Sequence, residues 1–351
     1  MRVGLIAPPW IPVPPPAYGG TEAVVGDLAR GLAAREHEVV LFTVGESTSP
    51  VDVRSLYPAA VEPMGADAPE AAHVLAAYEA LSDVDVIHDH TVLGPLVAAG
   101  HAFPAPPVVC TNHNPFTPEN QRIFAEIARH AAVVAISHSH ARSAAGVPIA
   151  AVIHHGIDLD VYRAGPGGGG YLMFVGRMSP DKGVHRAVRV ACEAGRKLVI
   201  VTRISEPAER TYYNEVVRPL LSSDVELLTE EPLTRRVELL RHADVLLDPI
   251  KWLEPFGLVM AESLACATPV VAFPHGAAPE IVDHGRTGFL CQSEDEMVSL
   301  LDRATRLDRR ACRRAAEKRF SLDRMAADHE RLYRAVRGGY GTHRSSEKAR
   351  R

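Results

Sequence analysis

The fold is decided by one stretch of the sequence, Val245-Leu-Leu-Asp-Pro-Ile-Lys-Trp-Leu-Glu-Pro-Phe-Gly-Leu-Val-Met-Ala-Glu262. It opens with a short apolar run that ends at Asp248-Pro249 and predicts a buried strand. A loop follows, and from Leu258 the apolar residues recur at helical spacing, so a helix is predicted to begin near Gly257. A strand, a loop and a helix in this order make one βα unit of a parallel sheet.

The same alternation extends on both sides of this unit. Short β-branched runs alternate with amphipathic segments from Val3–Ala7 to Ala151–Ile153, and again from Tyr171–Val175 to Gly288–Cys291. Between the two series lies the glycine run Gly165–Gly170, which has the composition of a flexible junction. We therefore predict an α/β protein with two Rossmann-like parallel-sheet domains that face each other across a cleft.

The predicted domain bounds are 1–164 for the N-terminal domain and 165–325 for the C-terminal domain. Residues 326–351 are predicted to form the end of a C-terminal helix and a basic, disordered tail, because the residues from 338 onward lack a periodic apolar face. The arginine-rich stretch Leu301–Arg337 is predicted to be helical. We interpret its arginines as a solvated helix face, and contact with a membrane surface stays open as the alternative.

Composition narrows the class of protein. A chain of 351 residues suits two domains, and its formal net charge of −5 argues against a whole-protein preference for nucleic acid. The five cysteines have no paired spacing, which predicts a reducing compartment and no structural zinc. The first apolar run is too short for a signal peptide and no stretch predicts a transmembrane segment, so the predicted location is the cytoplasm.

The deciding stretch also predicts a ligand site. Gly257 allows a close approach of the backbone, and the free N–H groups at the start of the following helix suit a diphosphate. Glu254 lies in the loop and Glu262 more than one turn inside the helix, so the two carboxylates are not expected to touch. They can instead hold two hydroxyl-rich groups of one extended ligand, with phosphates between them.

The segment Glu254–Leu290 resembles the signature of the retaining glycosyltransferases of family 4, which have the GT-B fold. The similarity lies in EPFGLVMAESLACATPVVA, then PEIV, then GRTGFL. The resemblance implies that Glu254 contacts the donor sugar and that Glu262 binds the ribose of the nucleotide. The residues between them, Phe256, Gly257, Leu258 and Val259, are then expected to line the donor.

A second motif of the same family is Gly176-Arg177-Met-Ser-Pro-Asp-Lys182-Gly183, between a predicted strand and a predicted helix. Two cations at the carboxyl edge of a sheet can neutralise a diphosphate leaving group, and the resemblance gives Arg177 and Lys182 this role. The chain departs from the family after the next strand, where Arg203 replaces a glycine-rich turn and is expected to approach the base or the phosphates.

Two further departures leave the choice of base open. Leu228-Thr-Glu-Glu231 lacks the family's usual glycine, and Ala267 stands where the family has Gly in C-G-T-P. The N-terminal half nevertheless fits the family and is similar to transferases of bacterial antibiotic assembly, of the orthosomycin (avilamycin) type.

In the N-terminal half, Tyr18-Gly-Gly-Thr-Glu22 resembles the family's first glycine loop. Gly19 and Gly20 are expected to turn tightly beside the donor phosphates, with Thr21 as the N-cap of the next helix. The spacing is not G-x-G-x-x-G, so a dinucleotide-binding fingerprint is not supported.

The segment Asp85-Val-Ile-His-Asp-His90 resembles the family's D-x-x-H-x-H. His90 is therefore expected near the reacting carbon, and His88 is interpreted as structural. The loop after the next strand is expected on the acceptor side, with Asn112 and His113 as acceptor contacts. Asp83-Val-Asp85 imitates a D-x-D metal motif, but it precedes a strand, and we interpret it as coincidence.

The resemblance implies an enzyme: a retaining glycosyltransferase that moves a sugar from a nucleoside diphosphate sugar, expected to be UDP-linked, to a hydroxyl of a small-molecule or oligosaccharide acceptor. No cofactor or metal is expected, since Arg177 and Lys182 replace a metal ion. Two alternatives stay open. One is another GT-B enzyme, either a phosphorylase or a sugar-nucleotide epimerase, and the other is a non-catalytic protein that binds nucleotide sugars.

Overall fold

The computed structural model describes residues 1–16, 19–100 and 106–348 and divides them into two compact units. The first unit consists of Met1–Pro15, Gly19–Gly156 and the segment from Leu322 onward, and the second is mainly Ile157–Ser321. The chain therefore passes from the first unit to the second at 156/157, not near residue 164. No helix in the described ranges is both long enough and apolar enough to cross a membrane.

The first unit is built on a parallel sheet with the strand order β3-β2-β1-β4-β5-β6-β7. Its strands are β1 (Arg2–Ile6), β2 (Glu38–Phe42), β3 (Asp52–Arg54), β4 (Val86–Asp89), β5 (Val108–Thr111), β6 (Ala131–Ala135) and β7 (Ile149–Val152). The helices between them are α1 (Gly20–Ala34), α2 (Asp67–Ala80), α3 (Gly94–Gly100), α4 (Pro118–Ile127) and α5 (His138–Ser143). The residues Val3–Ile6 of β1 and all four residues of β4 are buried, as expected where helices cover a parallel sheet on each side, although His88 and Asp89 of β4 are polar.

The second unit has its own parallel sheet, in the order β10-β9-β8-β11-β12-β13. The strands are β8 (Tyr171–Arg177), β9 (Lys197–Arg203), β10 (Val225–Thr229), β11 (Val245–Asp248), β12 (Val270–Ala272) and β13 (Gly288–Leu290). The helices are α6 (Val184–Glu193), α7 (Pro207–Tyr212), α8 (Leu233–His242), α9 (Leu258–Ala265), α10 (Ala278–Ile281), α11 (Glu294–Ala304) and α12 (Arg309–Arg319). Leu172, Phe174 and Leu247 of the central strands pack in the core of this unit.

The last helix, α13 (Leu322–Lys348), returns to the first unit. Arg35 at the end of α1 pairs with Asp323 and with Glu330 of α13, and Tyr333 is fully buried. The stretch Leu301–Arg337 is mainly helical, as predicted, but it is divided among the end of α11, all of α12 and the first part of α13. The helix also continues through most of the predicted disordered tail, and the last three residues lie outside the described ranges.

The glycine run is an ordered part of the second unit. The amides of Gly165, Gly167 and Gly169 donate to the carbonyls of Cys266, Arg241 and His242 at 2.9, 3.0 and 2.9 Å. A Cβ at Gly165 would lie only 2.2 Å from the carbonyl oxygen of Arg241. Glycine is needed here for close backbone contact, so the prediction of a flexible junction was wrong.

Three arginines of the C-terminal stretch are structural and are not simply solvated charges. Arg309 donates to the carbonyls of Ala243 and Arg241, and Arg319 donates to those of Glu280 and Ile281. Arg313 binds carbonyl groups in the same way. Helix ends leave such carbonyls without intrahelical partners, and a guanidinium can satisfy several at once.

Candidate active site

The strand register of the second unit places two cations side by side. Arg177 ends β8, and it is the parallel partner of Arg203, which ends β9. Both side chains therefore start from the carboxyl edge of the sheet, where parallel α/β sheets bind ligands. Arg177 contacts Asp181 at 3.7 Å, and its side chain is 38% exposed, so it can still reach a ligand.

The loop after β8 places Lys182 at the same edge. Gly183 ends the loop in the left-handed region at φ 78°, and a Cβ there would lie 2.6 Å from the carbonyl oxygen of Pro249. Arg186, in the first turn of α6, donates to that same carbonyl at 2.7 Å. The close backbone approach and this hydrogen bond join the Lys182 loop to the loop that follows β11.

The loop after β11 presents Glu254 to Lys182. Lys182 Nζ lies 2.5 Å from Glu254 Oε2, and both side chains are 14% exposed. The carbonyl of Glu254 accepts from the amide of Ala277 at 3.0 Å. Gly276, at φ 58°, has no room for a Cβ, which would lie 2.3 Å from that carbonyl oxygen. The two residues predicted to bind the phosphates and the sugar thus form one ion pair.

Gly257 is the N-cap of α9 and has left-handed backbone angles, φ 89° and ψ 63°. The sequence predicted this helix start correctly. Leu258 and Val259 are the first two helical residues, whose amides are not used within a helix and can bind an anion. The side chain of Phe256 is 2% exposed and packs against Phe320, so only its backbone is available to a ligand.

Glu262 lies on α9 and has a partner that the sequence did not indicate. The phenol of Tyr162 donates to Glu262 Oε1 at 2.7 Å, and Arg236 lies 3.4 Å from the same phenol oxygen. Burial, together with the neighbouring carboxylate, raises the pKa of Tyr162 well above its usual range. The phenol therefore stays protonated and acts as a donor.

Asp248 and Trp252 complete this part of the second unit. Asp248, at the end of β11, is 4% exposed. Burial raises the pKa of its carboxyl to about 7, and the nearby Glu254 carboxylate adds to the rise while Lys182 opposes it. Lys182 Nζ also lies 5.2 Å from the centre of the Trp252 ring, a distance that suits a cation–π contact.

In the first unit, the glycine loop leads directly into α1. Gly19 is the N-cap and Gly20 the first helical residue, and no side chain caps this end. Thr21 therefore lies inside the helix, and its predicted role as N-cap was wrong. Glu22 in the first turn is 5% exposed, and burial raises the pKa of its carboxyl to about 7. Tyr18 lies outside the described residues.

Five buried or half-buried imidazoles meet in the first unit. This histidine cluster consists of His88, His90, His113, His155 and His329. Ring centres of neighbouring members lie 4.1 Å apart for His88 and His90, 5.2 Å for His90 and His113, 5.3 Å for His113 and His155, and 5.1 Å for His88 and His329. Burial lowers all five pKa values, to about 3 for His113 and about 4 for His329. The other imidazoles add to the effect of burial in every member except His329, where Arg324 does so.

His88, inside β4, and His90, directly after it, differ in their hydrogen bonds. His88 uses both ring nitrogens, with Tyr333 and Thr111 each at 2.7 Å, which fits the structural role predicted for it. His90 Nδ1 bonds to His113 Nε2 at 2.9 Å. His90 Nε2 is buried and has no hydrogen-bond partner in the described part of the chain. This nitrogen is the one available to a ligand.

Asn112 is committed to the shape of its loop. It is 2% exposed, its Oδ1 accepts from the amide of Asn114 at 2.9 Å, and its amide nitrogen donates to the carbonyl of Asn114 at 2.8 Å. The side chain thus closes an Asx turn. Because both of its polar atoms are used within the loop, the prediction that Asn112 contacts the acceptor was wrong. His113 forms a hydrogen bond to His90 and stacks on His155, so it contacts His90 on the side of the ring that carries Nδ1.

The segment Asp83-Val-Asp85, which imitates a D-x-D metal motif, lies before β4 and therefore at the opposite end of that strand from the predicted site. Asp85 precedes β4 and accepts from the amide of Arg2 at 2.8 Å, and Asp83 pairs with the Arg2 side chain. Residues 1–16, 19–100 and 106–348 contain no group of three or more His, Cys, Asp or Glu side chains arranged to hold a metal ion.

Sequence reasoning missed four residues of the site: Tyr162, Arg186, Asp248 and Trp252. Asp248 had a usable signal, since an acidic residue that ends a buried strand lies at the ligand-binding edge. The contact of Tyr162 with Glu262 spans 100 positions and has no local pattern.

Comparison with known proteins matches each half of the chain to a glycosyltransferase family. The family model described as Glycosyltransferase Family 4 matches residues 18–161, and the one described as Glycosyl transferases group 1 matches residues 164–319. A D-inositol 3-phosphate glycosyltransferase of Catenulispora acidiphila is 32% identical over 184 residues, which are 44% of this chain. The matched stretch spans only 43% of that relative.

Solved structures match over nearly the whole length. AviGT4, a glycosyltransferase involved in avilamycin A biosynthesis, is 27% identical with a TM-score of 0.75, covering 96% of this chain and 98% of that one. The Anabaena protein Alr3699/HepE, solved with UDP and glucose, is 21% identical with a TM-score of 0.74, covering 95% of this chain and 99% of that one.

The two parallel-sheet units, the matched families and the structural neighbours define this class of protein: it is a glycosyltransferase enzyme with the GT-B fold. Within that class, the N-terminal part of the chain, residues 18–161, matches the family-4 model.

Proposed function

We propose that this enzyme transfers a glycosyl group, with retention at the anomeric carbon, from a UDP-linked sugar to a hydroxyl of a small-molecule or oligosaccharide acceptor. The observation that carries the proposal is the Lys182–Glu254 pair, at the same sheet edge as Arg177 and Arg203. Helix α9 begins at Leu258, four residues after Glu254. The Anabaena relative that was solved with UDP and glucose supports the choice of donor.

Each part of this edge has a role in the proposal. Arg177, Lys182 and Arg203 neutralise the diphosphate together with the amides of Leu258 and Val259. Glu254 accepts from the hydroxyls of the donor sugar, and Glu262 accepts from those of the ribose. In the first unit, His90 offers its unpartnered Nε2 to the sugar, and Gly19 and Gly20 bring the start of α1 to the phosphates.

In the proposed reaction no side chain of the protein forms a covalent bond to the sugar. The bond between the anomeric carbon and the β-phosphate oxygen breaks, and the acceptor oxygen forms its bond on the same face of the sugar. The acceptor's proton passes to the departing phosphate oxygen. Cations that stabilise this leaving group lower the barrier without a metal ion, so we propose metal-independent transfer. Activity in excess EDTA should then equal activity with magnesium.

A thermal-shift screen with UDP, GDP, TDP and ADP tests the donor site. We expect UDP to raise the melting temperature, and the Glu262→Ala variant to lose that shift while keeping its own fold. Stabilisation by a different base would correct the donor. The absence of a shift with all four nucleotides would refute the donor site.

The alternatives are separated by products. An epimerase would convert the donor without an acceptor, and a phosphorylase would need free phosphate. A non-catalytic binding protein would bind UDP but form no product, whether or not an acceptor or free phosphate is added. For an enzyme, Lys182→Ala should reduce turnover by at least about tenfold, because a charge that stabilises the leaving group is lost.

The acceptor is proposed only by class. The similarity to AviGT4 supports a small molecule of bacterial antibiotic assembly, and the relatives named D-inositol 3-phosphate glycosyltransferases support a polyhydroxylated one. Contact with a membrane surface and a cytoplasmic location stay predictions.

A further inference from the structure

The carboxylate of Glu262 is held by a tyrosine that belongs to no motif described above. Tyr162 lies in the segment between residue 157, where the chain enters the second unit, and β8. Its ring is 7% exposed, and its phenol oxygen lies 2.7 Å from Glu262 Oε1. Tyr162 is the only side chain seen to donate to Glu262 in the part of the chain that the structure describes.

The backbone of Tyr162 is fixed to the helix that carries Glu262. Arg313 Nη1 donates to the carbonyl of Tyr162 at 2.7 Å and to the carbonyl of Ala265 at 2.9 Å. Ala265 is the last residue of α9, so one guanidinium joins the tyrosine segment to the C-terminal turn of that helix. The phenol makes the second connection, one turn further back. Two attachment points leave Tyr162 little freedom to turn away.

The direction of the hydrogen bonds is determined by chemistry. A guanidinium and a carboxylate lie on either side of the phenol, so Arg236 donates to the phenol oxygen and the phenol donates to Glu262. Each donor in such a series polarises the next, which strengthens the bond to the carboxylate. The phenol occupies one carboxylate oxygen and leaves the other free to accept.

We propose that Tyr162 is a positioning residue for nucleotide recognition: it fixes Glu262 so that the free carboxylate oxygen accepts from the ribose hydroxyls. The inference rests on the ribose role that the proposed function gives to Glu262. An unrestrained glutamate loses side-chain freedom each time it binds a ligand, whereas a carboxylate held in place before binding does not. Tyr162 therefore contributes to the recognition of ribose hydroxyls and not to the binding of phosphates.

The test compares two nucleotides that differ only in these hydroxyls, UDP and 2′,3′-dideoxy-UDP, by titration calorimetry on the whole chain. The wild type should prefer UDP. Tyr162→Phe removes one oxygen and keeps the ring, and it should reduce the preference by about three- to tenfold, the scale of one lost hydrogen bond. Its affinity for 2′,3′-dideoxy-UDP should stay close to that of the wild type.

Tyr171→Phe is the matched control, because this variant also loses a single hydrogen bond, the one from the Tyr171 phenol to the carbonyl of Leu239 at 2.8 Å. It should leave the preference unchanged. Arg236→Leu should reduce the preference in the same direction as Tyr162→Phe but by less.

The outcomes separate the two proposals. If the wild type prefers UDP through Glu262 and Tyr162→Phe prefers it equally, the positioning role is refuted and the proposed function stands. If Tyr162→Phe weakens both nucleotides by the same factor, Tyr162 is merely structural and the inference is again refuted. If the wild type does not distinguish the two nucleotides, the ribose role of Glu262 fails, and this inference fails with it.

Discussion

Replacing one buried histidine should make the first unit less sensitive to acid. His329 is 4% exposed, and its Nδ1 donates to the carbonyl of Met325 at 2.9 Å. Burial lowers its pKa to about 4, whereas an unfolded histidine titrates near pH 6.5. Between these values the unfolded state binds more protons than the native state. The free energy of unfolding therefore decreases as the pH falls below about 6.5.

The size of the effect follows from these two pKa values. Between pH 7.5 and pH 5.5 one such histidine lowers the free energy of unfolding by about 1.4 kcal/mol. The five members of the histidine cluster all have lowered pKa values, so their combined effect is roughly 7 kcal/mol if each stays neutral in the native state. That is comparable to the whole stability of many domains.

Two buried carboxyls of the same unit act in the opposite direction. Burial raises the pKa of Glu22 to about 7 and that of Asp89 to about 6. Their native forms take up protons as the pH falls, which raises the free energy of unfolding by roughly 3 kcal/mol over the same range. Together these seven groups should therefore lower the free energy of unfolding of the first unit by roughly 4 kcal/mol between pH 7.5 and pH 5.5, and His140, whose pKa burial lowers to about 4, adds to that loss.

The assay is urea unfolding at the two pH values, followed by tryptophan fluorescence. The chain has two tryptophans, and in a Trp252→Phe background the remaining Trp10 reports on the first unit. His329→Gln should be less stable than its parent at pH 7.5, but its loss on acidification should be smaller by about 1.4 kcal/mol. His130→Gln, at a side chain that is 48% exposed, is the control and should show the parent's loss. An unchanged loss in His329→Gln would refute the reasoning.

Three further changes probe the second unit, each by urea unfolding. Ala267 has a left-handed backbone at φ 63°, so Ala267→Gly should raise stability by about 0.5–1 kcal/mol, whereas Ala265→Gly inside α9 should lower it. The native pKa of Asp248, about 7, lies above the unfolded value, so the wild type loses stability as the pH rises from about 4 to 7. Asp248→Asn should therefore be more stable than the wild type by roughly 2–4 kcal/mol at pH 8 and nearly equal to it at pH 4; equal stability at both would contradict the burial argument. Arg186→Leu should cost about 1–3 kcal/mol, because the carbonyl of Pro249 loses its buried donor, and should also lower turnover; unchanged turnover would show that the two loops keep their places without it.

Strong local patterns allowed much of the fold to be predicted. The strand predicted over Tyr171–Val175 begins at its predicted residue and extends to Arg177, and the helix start after Gly257 was confirmed. Strand β3 was missed because its three residues, Asp52–Arg54, are partly exposed at the sheet edge and carry no apolar run. The periodicity of apolar residues reflects which side chains are buried, and an edge strand of this kind buries few apolar side chains.

The parts of the site that depend on long-range contact could not be predicted. The motifs identified Lys182 and Glu254, but not that they pair across 72 positions. Arginine-rich composition gave no sign that Arg309 and Arg313 bind carbonyls, because the same residues occur on solvated helices. Ala267 stands where the resemblance predicts glycine, and Glu230 lies in the segment that lacks the family's usual glycine; both adopt the left-handed backbone that glycine favours.

The return of α13 to the first unit has a consequence for how the protein is made. The second unit is an insertion whose two ends meet, since the amide of Ile157 donates to the carbonyl of Phe320 at 2.7 Å. Domains fold largely as units during synthesis, so Ile157–Ser321 can fold as soon as it leaves the ribosome. The first unit can complete its folding only later, because His88 lacks the hydroxyl of Tyr333 and α1 lacks its partner until α13 is translated. The half of the enzyme that is synthesised first is therefore the half that finishes folding last.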